Sequence, residues 1–210
     1  MTAAEETILY LVRHGATPSN EEKPQRLQGA GVDGSLSPLG ERQADQVANF
    51  LAAIPLDAVF SSPLKRARET AQRIASRQNL DVSIVAGIQE VSVGRWERLD
   101  WATIEREFPV EYRQFVEDSA THGYLGGESY NDVAARISPV FDQLLADNAG
   151  KRIAIVAHSV VNRTWLATLL GAPLREAKEL PQDNCCINVI RYRNGHAKLL
   201  TLNSHFHISE

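Results

Sequence analysis

The stretch Ile8-Leu9-Tyr10-Leu11-Val12-Arg13-His14-Gly15-Ala16-Thr17 places an uninterrupted apolar run directly before an arginine, a histidine and a glycine. Such a run is typical of a strand covered on both faces, and we expect it to lie near the middle of a parallel sheet. Arginine supplies positive charge, histidine supplies a nucleophile or a proton donor, and glycine leaves room for a ligand to approach the backbone. The stretch therefore predicts a phosphate site where the first strand ends, and Asn20 follows a few residues later.

Strand-like and helix-like segments alternate along nearly the whole chain, a pattern that predicts parallel βαβ units. The later strands are expected at residues 57–61, 82–85, 152–157, 186–192 and 196–202. Asn194-Gly195, between the last two, is typical of a tight turn that joins antiparallel neighbours. We therefore predict one α/β domain over residues 1–210, a three-layer αβα sandwich whose mostly parallel sheet has an antiparallel edge strand.

Amphipathic helices are predicted between these strands. The pairs Ser37-Pro38 and Ser62-Pro63 each combine a capping serine with a proline at the first helical position, which predicts a helix start at both places. Apolar spacing predicts a helix over residues 130–145, with a kink at Pro139. The charged and aromatic segment 96–124 predicts short helices that lie over one edge of the sheet as a lid.

The composition is that of an ordinary enzyme-sized globular protein. A chain of 210 residues with 43% apolar residues can bury a full core without a disulfide or a metal ion. The net charge of −4 argues against bulk affinity for nucleic acid or an anionic membrane. No apolar run approaches a membrane span, and the acidic start of the chain is unlike a secretory signal, so we expect a cytoplasmic protein. The adjacent Cys185 and Cys186 are expected to be buried, reduced thiols.

Chemically matched side chains follow four of the predicted strands. They are Arg13, His14 and Asn20 after the first, Arg66 after the second, Glu90 after the third, and His158 and Ser159 after the fourth. Because ligands of open parallel sheets bind outside the carboxyl ends of the strands, we expect these groups to converge on one crevice. Two arginines, two histidines, a carboxylate and an amide fit a site for phosphoryl chemistry.

With these motifs in place, the chain resembles the histidine phosphatase superfamily, also called the phosphoglycerate mutase-like family, over essentially its whole length. The matching segments are Arg13–Thr17 with Asn20, Leu27–Gly29, Leu36–Gly40 with Gln43-Ala44, Ser61–Ala67 with Thr70-Ala71, Glu90 ahead of Gly94–Glu97, Gly127–Ser129, and Val156–Val161. The resemblance implies a phosphomonoester hydrolase that acts on a small phosphorylated metabolite and uses no metal or other cofactor.

The resemblance also implies roles for the converging side chains. His14 is the expected nucleophile, which forms a phosphohistidine that water then hydrolyses, and nearby arginines favour its neutral, reactive form. Glu90 is expected to protonate the leaving alkoxide and then to accept a proton from the attacking water. The expected phosphoryl clamp consists of Arg13, Arg66 and His158, and secondary contacts are expected from Asn20, Gln28, Gly29 and Ser159.

Other interpretations of these residues remain open. A histidine at a strand end is often a structural hydrogen-bonding group, and Arg66 could be a solvent-facing helix residue. Glu97 or Glu128 could be confused with Glu90 as the acid-base residue. Four basic residues are candidates for contact with a second anionic group on the substrate: Lys23, Arg26, Arg95 and Arg98.

Two alternative functions also remain open. One is a phosphoglycerate mutase-type phosphotransferase, which Glu90-Val91-Ser92-Val93-Gly94 disfavours because the family's mutases usually carry an arginine directly after this glutamate. The other is a non-catalytic phosphate-binding or protein-binding module on the same fold. We expect a small phosphorylated metabolite as the ligand, expect no nucleic-acid or membrane partner, and leave a homodimer open.

Overall fold

The sheet at the centre of this protein has six strands, in a computed structural model that describes residues 6–209. The strands are β1 (Glu6–Arg13), β2 (Ala58–Ser61), β3 (Val82–Ile84), β4 (Arg152–Ala157), β5 (Ile187–Arg193) and β6 (His196–Ser204). Their spatial order is β3-β2-β4-β1-β5-β6. Strand β1 pairs in parallel with β4 and antiparallel with β5, and β5 pairs antiparallel with the edge strand β6. The central first strand and the antiparallel edge are therefore confirmed.

Seven α-helices connect these strands within the described residues. They are α1 (Pro18–Glu21), α2 (Pro38–Leu51), α3 (Lys65–Ser76), α4 (Trp101–Glu107), α5 (Pro109–Glu117), α6 (Tyr130–Asp147) and α7 (Ser159–Leu170). Pro139 lies inside α6, and Gly171 in the left-handed conformation ends α7. None of the helices in residues 6–209 has the length and apolar character needed to cross a bilayer.

The helices cover both faces of the sheet, because alternate residues of β1 point to opposite sides. Leu9 and Leu11 belong to the apolar cluster that includes the buried faces of α6 and α7. Val12 belongs to the cluster that includes the buried faces of α2 and α3. The predicted three-layer α/β architecture is confirmed. The first strand is continuously apolar because helices cover it on both faces.

The predicted helix start at Ser37-Pro38 is confirmed, and the one at Ser62-Pro63 is wrong. Ser37 caps α2 by accepting from the backbone N–H of Gly40 at 3.1 Å. Helix α3 begins only at Lys65, whose backbone N–H donates to Oδ1 of Asp33 instead of to Ser62. The hydroxyl of Ser62 instead lies 2.6 Å from Nε2 of His158, a residue that is distant in sequence. The serine that the local pattern predicted as a helix cap therefore contacts the site.

The segment at 96–124 forms the two short helices α4 and α5, and three of its aromatic side chains are buried in the core. Trp96, Phe115 and Tyr124 are buried, and the ring of Trp96 meets that of Phe115 edge to face at 5.5 Å between centroids. Trp101 is 40% exposed and lies on the side of the segment that faces the cavity described below. The role of this segment as a lid stays a prediction.

Candidate active site

The carboxyl ends of the strands border a cavity of about 290 Å³. Six of the residues that the sequence predicted for the site line this cavity: Arg13, His14, Asn20, Gln28, Glu90 and Ser159. Arg66 and His158 are fully buried and lie against His14 instead of on the cavity wall. The predicted convergence is therefore observed, with an inner layer of two residues behind the lining.

His14 is held in one orientation by two hydrogen bonds. Its Nδ1 lies 2.7 Å from the carbonyl oxygen of Gly15. Because a carbonyl only accepts, Nδ1 carries the proton and Nε2 keeps its lone pair, which accepts from Nε of Arg66 at 3.3 Å. Burial is the main cause that lowers the pKa of His14 well below 6.5, and the charges of Arg66 and Arg13 lower it further. His14 is therefore a neutral imidazole at neutral pH.

Arg66 is positioned by backbone carbonyls of the loop that precedes α2. Its Nη1 donates to the carbonyl of Val32 at 2.7 Å and its Nη2 to that of Gly29 at 3.2 Å. These bonds aim Nε at His14 and exclude the alternative of a solvent-facing Arg66, whose relative exposure is 0%. Its positive charge lies beside Nε2 of His14, where a negatively charged phosphoryl group would bind.

His158 is the N-cap residue of α7 and is completely buried. The hydroxyl of Ser62 lies 2.6 Å from Nε2 of His158 and also accepts from the backbone N–H of Leu64 at 3.3 Å. Burial, followed by the charge of Arg66, lowers the pKa of His158 well below 6.5. The ring is therefore neutral at neutral pH, and its Nδ1 is buried without a partner among residues 6–209.

Arg13 is tied to a polar network that the sequence analysis missed. Its Nη1 donates to the carbonyl of Gln182 at 2.6 Å. The side-chain amide of Gln182 in turn contacts Asn162 and Asn188, at 3.2 Å and 3.0 Å. Because 169 residues separate Arg13 from Gln182, no local pattern could have shown the contact.

Glu90 faces the cavity from the segment that follows β3. Its Oε1 accepts from the backbone N–H of Val91 at 3.0 Å, and its Oε2 accepts from that of Val160 at 3.4 Å. The second bond ties the carboxylate to the first turn of α7, next to His158. Glu90 is 95% buried, with a relative exposure of 5%.

The other two glutamates that could have been confused with Glu90 have structural partners. Glu97 accepts from the backbone N–H groups of Gly29 and Gly31, at 2.7 Å and 3.2 Å. Glu128 forms a two-point ion pair with Arg136, at 2.8 Å and 2.9 Å. The backbone N–H of Gly29 already donates to Glu97, so it is not free to donate to a substrate at the contact that the sequence predicted for Gly29.

Two of the side-chain amides that line the cavity, those of Asn20 and Gln28, are oriented by Thr17. The backbone N–H of Thr17 donates to Oδ1 of Asn20 at 3.0 Å, and its hydroxyl lies 2.7 Å from Oε1 of Gln28. Because both amide oxygens are engaged, the NH₂ groups of Asn20 and Gln28 remain as the donors for a ligand. This polarity suits an anion.

Of the four predicted contacts to a second anionic group, the cavity includes only Arg26 among its described lining residues. Arg95 stacks over the ring of Phe108 at 5.1 Å. The cavity also includes Arg163, which the sequence analysis did not single out. Its position four residues after Ser159 on α7 was the available signal, because residues at this spacing share a helix face.

The family is shown by comparison with known proteins. The model of the histidine phosphatase superfamily (branch 1) matches residues 9–205. The chain therefore belongs to this superfamily, as its motifs predicted.

Named relatives include both phosphatases and mutases. Phosphoserine phosphatase 1 of Hydrogenobacter thermophilus is 31% identical, over 96% of this chain and 94% of its own length. A probable phosphoglycerate mutase GpmB of Salmonella paratyphi A is also 31% identical, over 89% and 86% of the two chains. The crystal structure of a phosphoserine phosphatase mutant from Entamoeba histolytica, in complex with phosphoserine, has a TM-score of 0.86 and 29% identity, covering 97% of this chain and 100% of that chain. These matches support a phosphatase enzyme.

Proposed function

We propose that this protein hydrolyses a small phosphorylated metabolite by way of a phosphohistidine on His14. The observation that carries the proposal is the pairing of His14 Nδ1 with the carbonyl of Gly15, which leaves a neutral Nε2 beside Arg66 at the cavity. A neutral imidazole with a lone pair is the form that attacks phosphorus. The phosphoserine phosphatase relatives support a small phosphomonoester as substrate.

In the first step, Nε2 of His14 forms a bond to phosphorus while the bond from phosphorus to the ester oxygen breaks. The negative charge on the phosphoryl oxygens is met by the guanidinium groups of Arg13 and Arg66 and by the Nδ1–H of His158. Charge stabilisation of this kind is the main work of a phosphoryl-transfer site. Asn20 and Gln28 add amide donors. Ser159, the first residue of α7, lines the same cavity.

Glu90 transfers the protons in both steps. It gives a proton to the leaving alkoxide, and in the second step it takes one from the water that attacks the phosphohistidine. The enzyme returns to its starting state after phosphate leaves.

A phosphoglycerate mutase activity is the second candidate, since relatives named as probable mutases match 89% of the chain. A mutase would pass the phosphoryl group from His14 to a second hydroxyl instead of to water. Interconversion of 2- and 3-phosphoglycerate without phosphate release would favour it. The cytoplasmic location and a homodimer stay predictions of the sequence.

The proposal is tested by phosphate release from p-nitrophenyl phosphate and a panel of phosphorylated metabolites in the presence of a chelator. We expect metal-independent turnover by the wild type and its loss in His14→Ala. His196→Ala is the matched control, because His196 is exposed on the edge strand. Hydrolysis retained by His14→Ala across the panel would overturn the covalent mechanism, and no release from any ester would favour a binding module.

A further inference from the structure

Arg163 adds positive charge to the cavity that the proposed phosphoryl transfer does not use. It lies in the second turn of α7 and is partly buried. Its Nη1 donates to the carbonyl of Lys178 at 3.3 Å, whereas its buried Nε has no hydrogen-bond partner among residues 6–209. A buried guanidinium nitrogen without an acceptor is costly, and a ligand oxygen would satisfy it.

The described lining residues leave this charge unbalanced. Glu90 is the one carboxylate among them, against the three guanidinium groups of Arg13, Arg26 and Arg163. The aromatic neighbours Tyr124 and Tyr130 are buried, and burial raises the pKa of both hydroxyl groups. Both tyrosines are therefore neutral at neutral pH and supply no negative charge to Arg163.

The position of Arg163 fixes how far a second anionic group would lie from the phosphate. Ser159 and Arg163 are four residues apart on one helix face, which is about 6 Å along the axis. Arg13 and Arg163 both line the cavity, so the two guanidinium groups act on the same space. A group two or three bonds from the ester oxygen spans this separation.

Arg26, the other unassigned arginine of the cavity, is a weaker candidate. It forms an ion pair with Glu22 at 3.2 Å, and its side chain is 57% exposed. Water and Glu22 therefore already screen its charge, and exposed pairs of this kind contribute little. Arg163 is more enclosed than Arg26 and forms no ion pair with the described lining residues.

We infer that Arg163 binds a carboxylate of the substrate, which makes the preferred substrates phosphomonoesters of short hydroxy acids or amino acids. A planar guanidinium donates two parallel hydrogen bonds to a carboxylate, which suits it to this group. The inference rests on the proposed function, because it assumes a phosphoryl group at His14. It adds Arg163 to the proposed site as a residue that determines substrate specificity.

The test compares esters that differ only by the carboxylate. One pair is phosphoserine and phosphoethanolamine, and the other is 3-phosphoglycerate and 2-hydroxyethyl phosphate. We expect the wild type to prefer the carboxylated member of at least one pair in kcat/KM. In Arg163→Gln this ratio should fall by about 10- to 100-fold, the range expected for the loss of a hydrogen-bonded charged pair. Arg163→Lys, which keeps the charge and loses the planar fork, should give an intermediate ratio.

Arg175→Gln is the matched control, because Arg175 is 62% exposed and does not line the cavity. It should keep the wild-type ratio. A wild type that does not discriminate within either pair would overturn the inference, as would an unchanged ratio in Arg163→Gln. If Arg163→Gln does not fold, an unchanged ratio in Arg163→Lys has the same meaning. Failure of the wild type to hydrolyse any ester, including p-nitrophenyl phosphate, would instead contradict the proposed function.

Discussion

The hydroxyl of Ser62 lies 2.6 Å from Nε2 of His158 and holds that buried ring in one orientation. If the hydroxyl donates to Nε2, the imidazole proton lies on Nδ1, which is buried without a partner among residues 6–209. The second histidine of the site is thus prepared as a neutral hydrogen-bond donor for a phosphoryl oxygen.

Ser62→Ala should lower kcat for p-nitrophenyl phosphate by about 10-fold, because a hydrogen bond that selects the productive form of His158 is lost. Ser62→Thr keeps a hydroxyl at the same place and should recover most of the rate. Steady-state kinetics of the three proteins check this. Full activity of Ser62→Ala would show that Ser62 does not orient His158.

In the pH profile of kcat/KM, the charge of Arg66 should keep the acidic limb, where His14 becomes protonated, below pH 6.5. Burial and then Arg66 lower the pKa of His14, so the imidazole stays neutral and reactive as the pH falls through 6.5. Arg66→Gln removes one of these causes, and the limb of kcat/KM for p-nitrophenyl phosphate should move to higher pH. The rate should also fall by about 100- to 1,000-fold, as for other charged donors of a transition state.

Arg68→Gln is the control for this profile, since Arg68 is exposed on the same helix. It should leave the acidic limb in place. A limb that stays below pH 6.5 in Arg66→Gln would mean that burial alone sets the state of His14.

A close backbone contact beside the nucleophile makes Gly40 irreplaceable. Gly40 lies in the first turn of α2, and a Cβ there would overlap with the backbone of Ala16. Alanine usually stabilises a helix relative to glycine, but here we expect Gly40→Ala to lower the free energy of unfolding by about 1–3 kcal/mol. Gly34→Ala is the control, because its Cβ would meet only Nε2 of Gln28 at 3.5 Å. Urea unfolding of both variants measures the difference, and equal stabilities would contradict the contact.

The role of Glu90 predicts different losses for good and poor leaving groups. Glu90→Gln should lower kcat for alkyl phosphates by about 100- to 10,000-fold, because a poor leaving group needs a proton. Aryl phosphates leave without that proton and should lose far less. Glu105→Gln, an exposed change on α4, should lose neither activity. Equal losses for both kinds of ester in Glu90→Gln would remove the acid role.

Topology explains why much of the site could be predicted from the sequence. His14, Arg66, Glu90 and His158 each follow a strand, and parallel strands bring such positions to one edge of the sheet. This rule does not predict the direction in which each side chain points. Arg66 turns inward because the carbonyls of Val32 and Gly29 accept its outer nitrogens, a contact set by loop packing.

The missed residues depend on contacts between segments that are far apart in sequence. Ser62 and His158 are separated by 96 residues, and Glu97 holds a loop 68 residues before it. Periodicity and capping patterns describe only neighbours along the chain, so they assigned Ser62 to a helix cap. Arg163 was missed for another reason, since a cationic residue in an amphipathic helix usually faces solvent.

The most direct test of the account is a search for phosphate covalently bound to His14 during turnover. Mixing the protein with p-nitrophenyl phosphate, quenching at alkaline pH and mapping peptides by mass spectrometry would locate the modification. The account predicts one phosphoryl group on the peptide that contains His14, with more of it in Glu90→Gln, where hydrolysis of the intermediate lacks its base. Turnover without any phosphopeptide, or with phosphate on another residue, would contradict it.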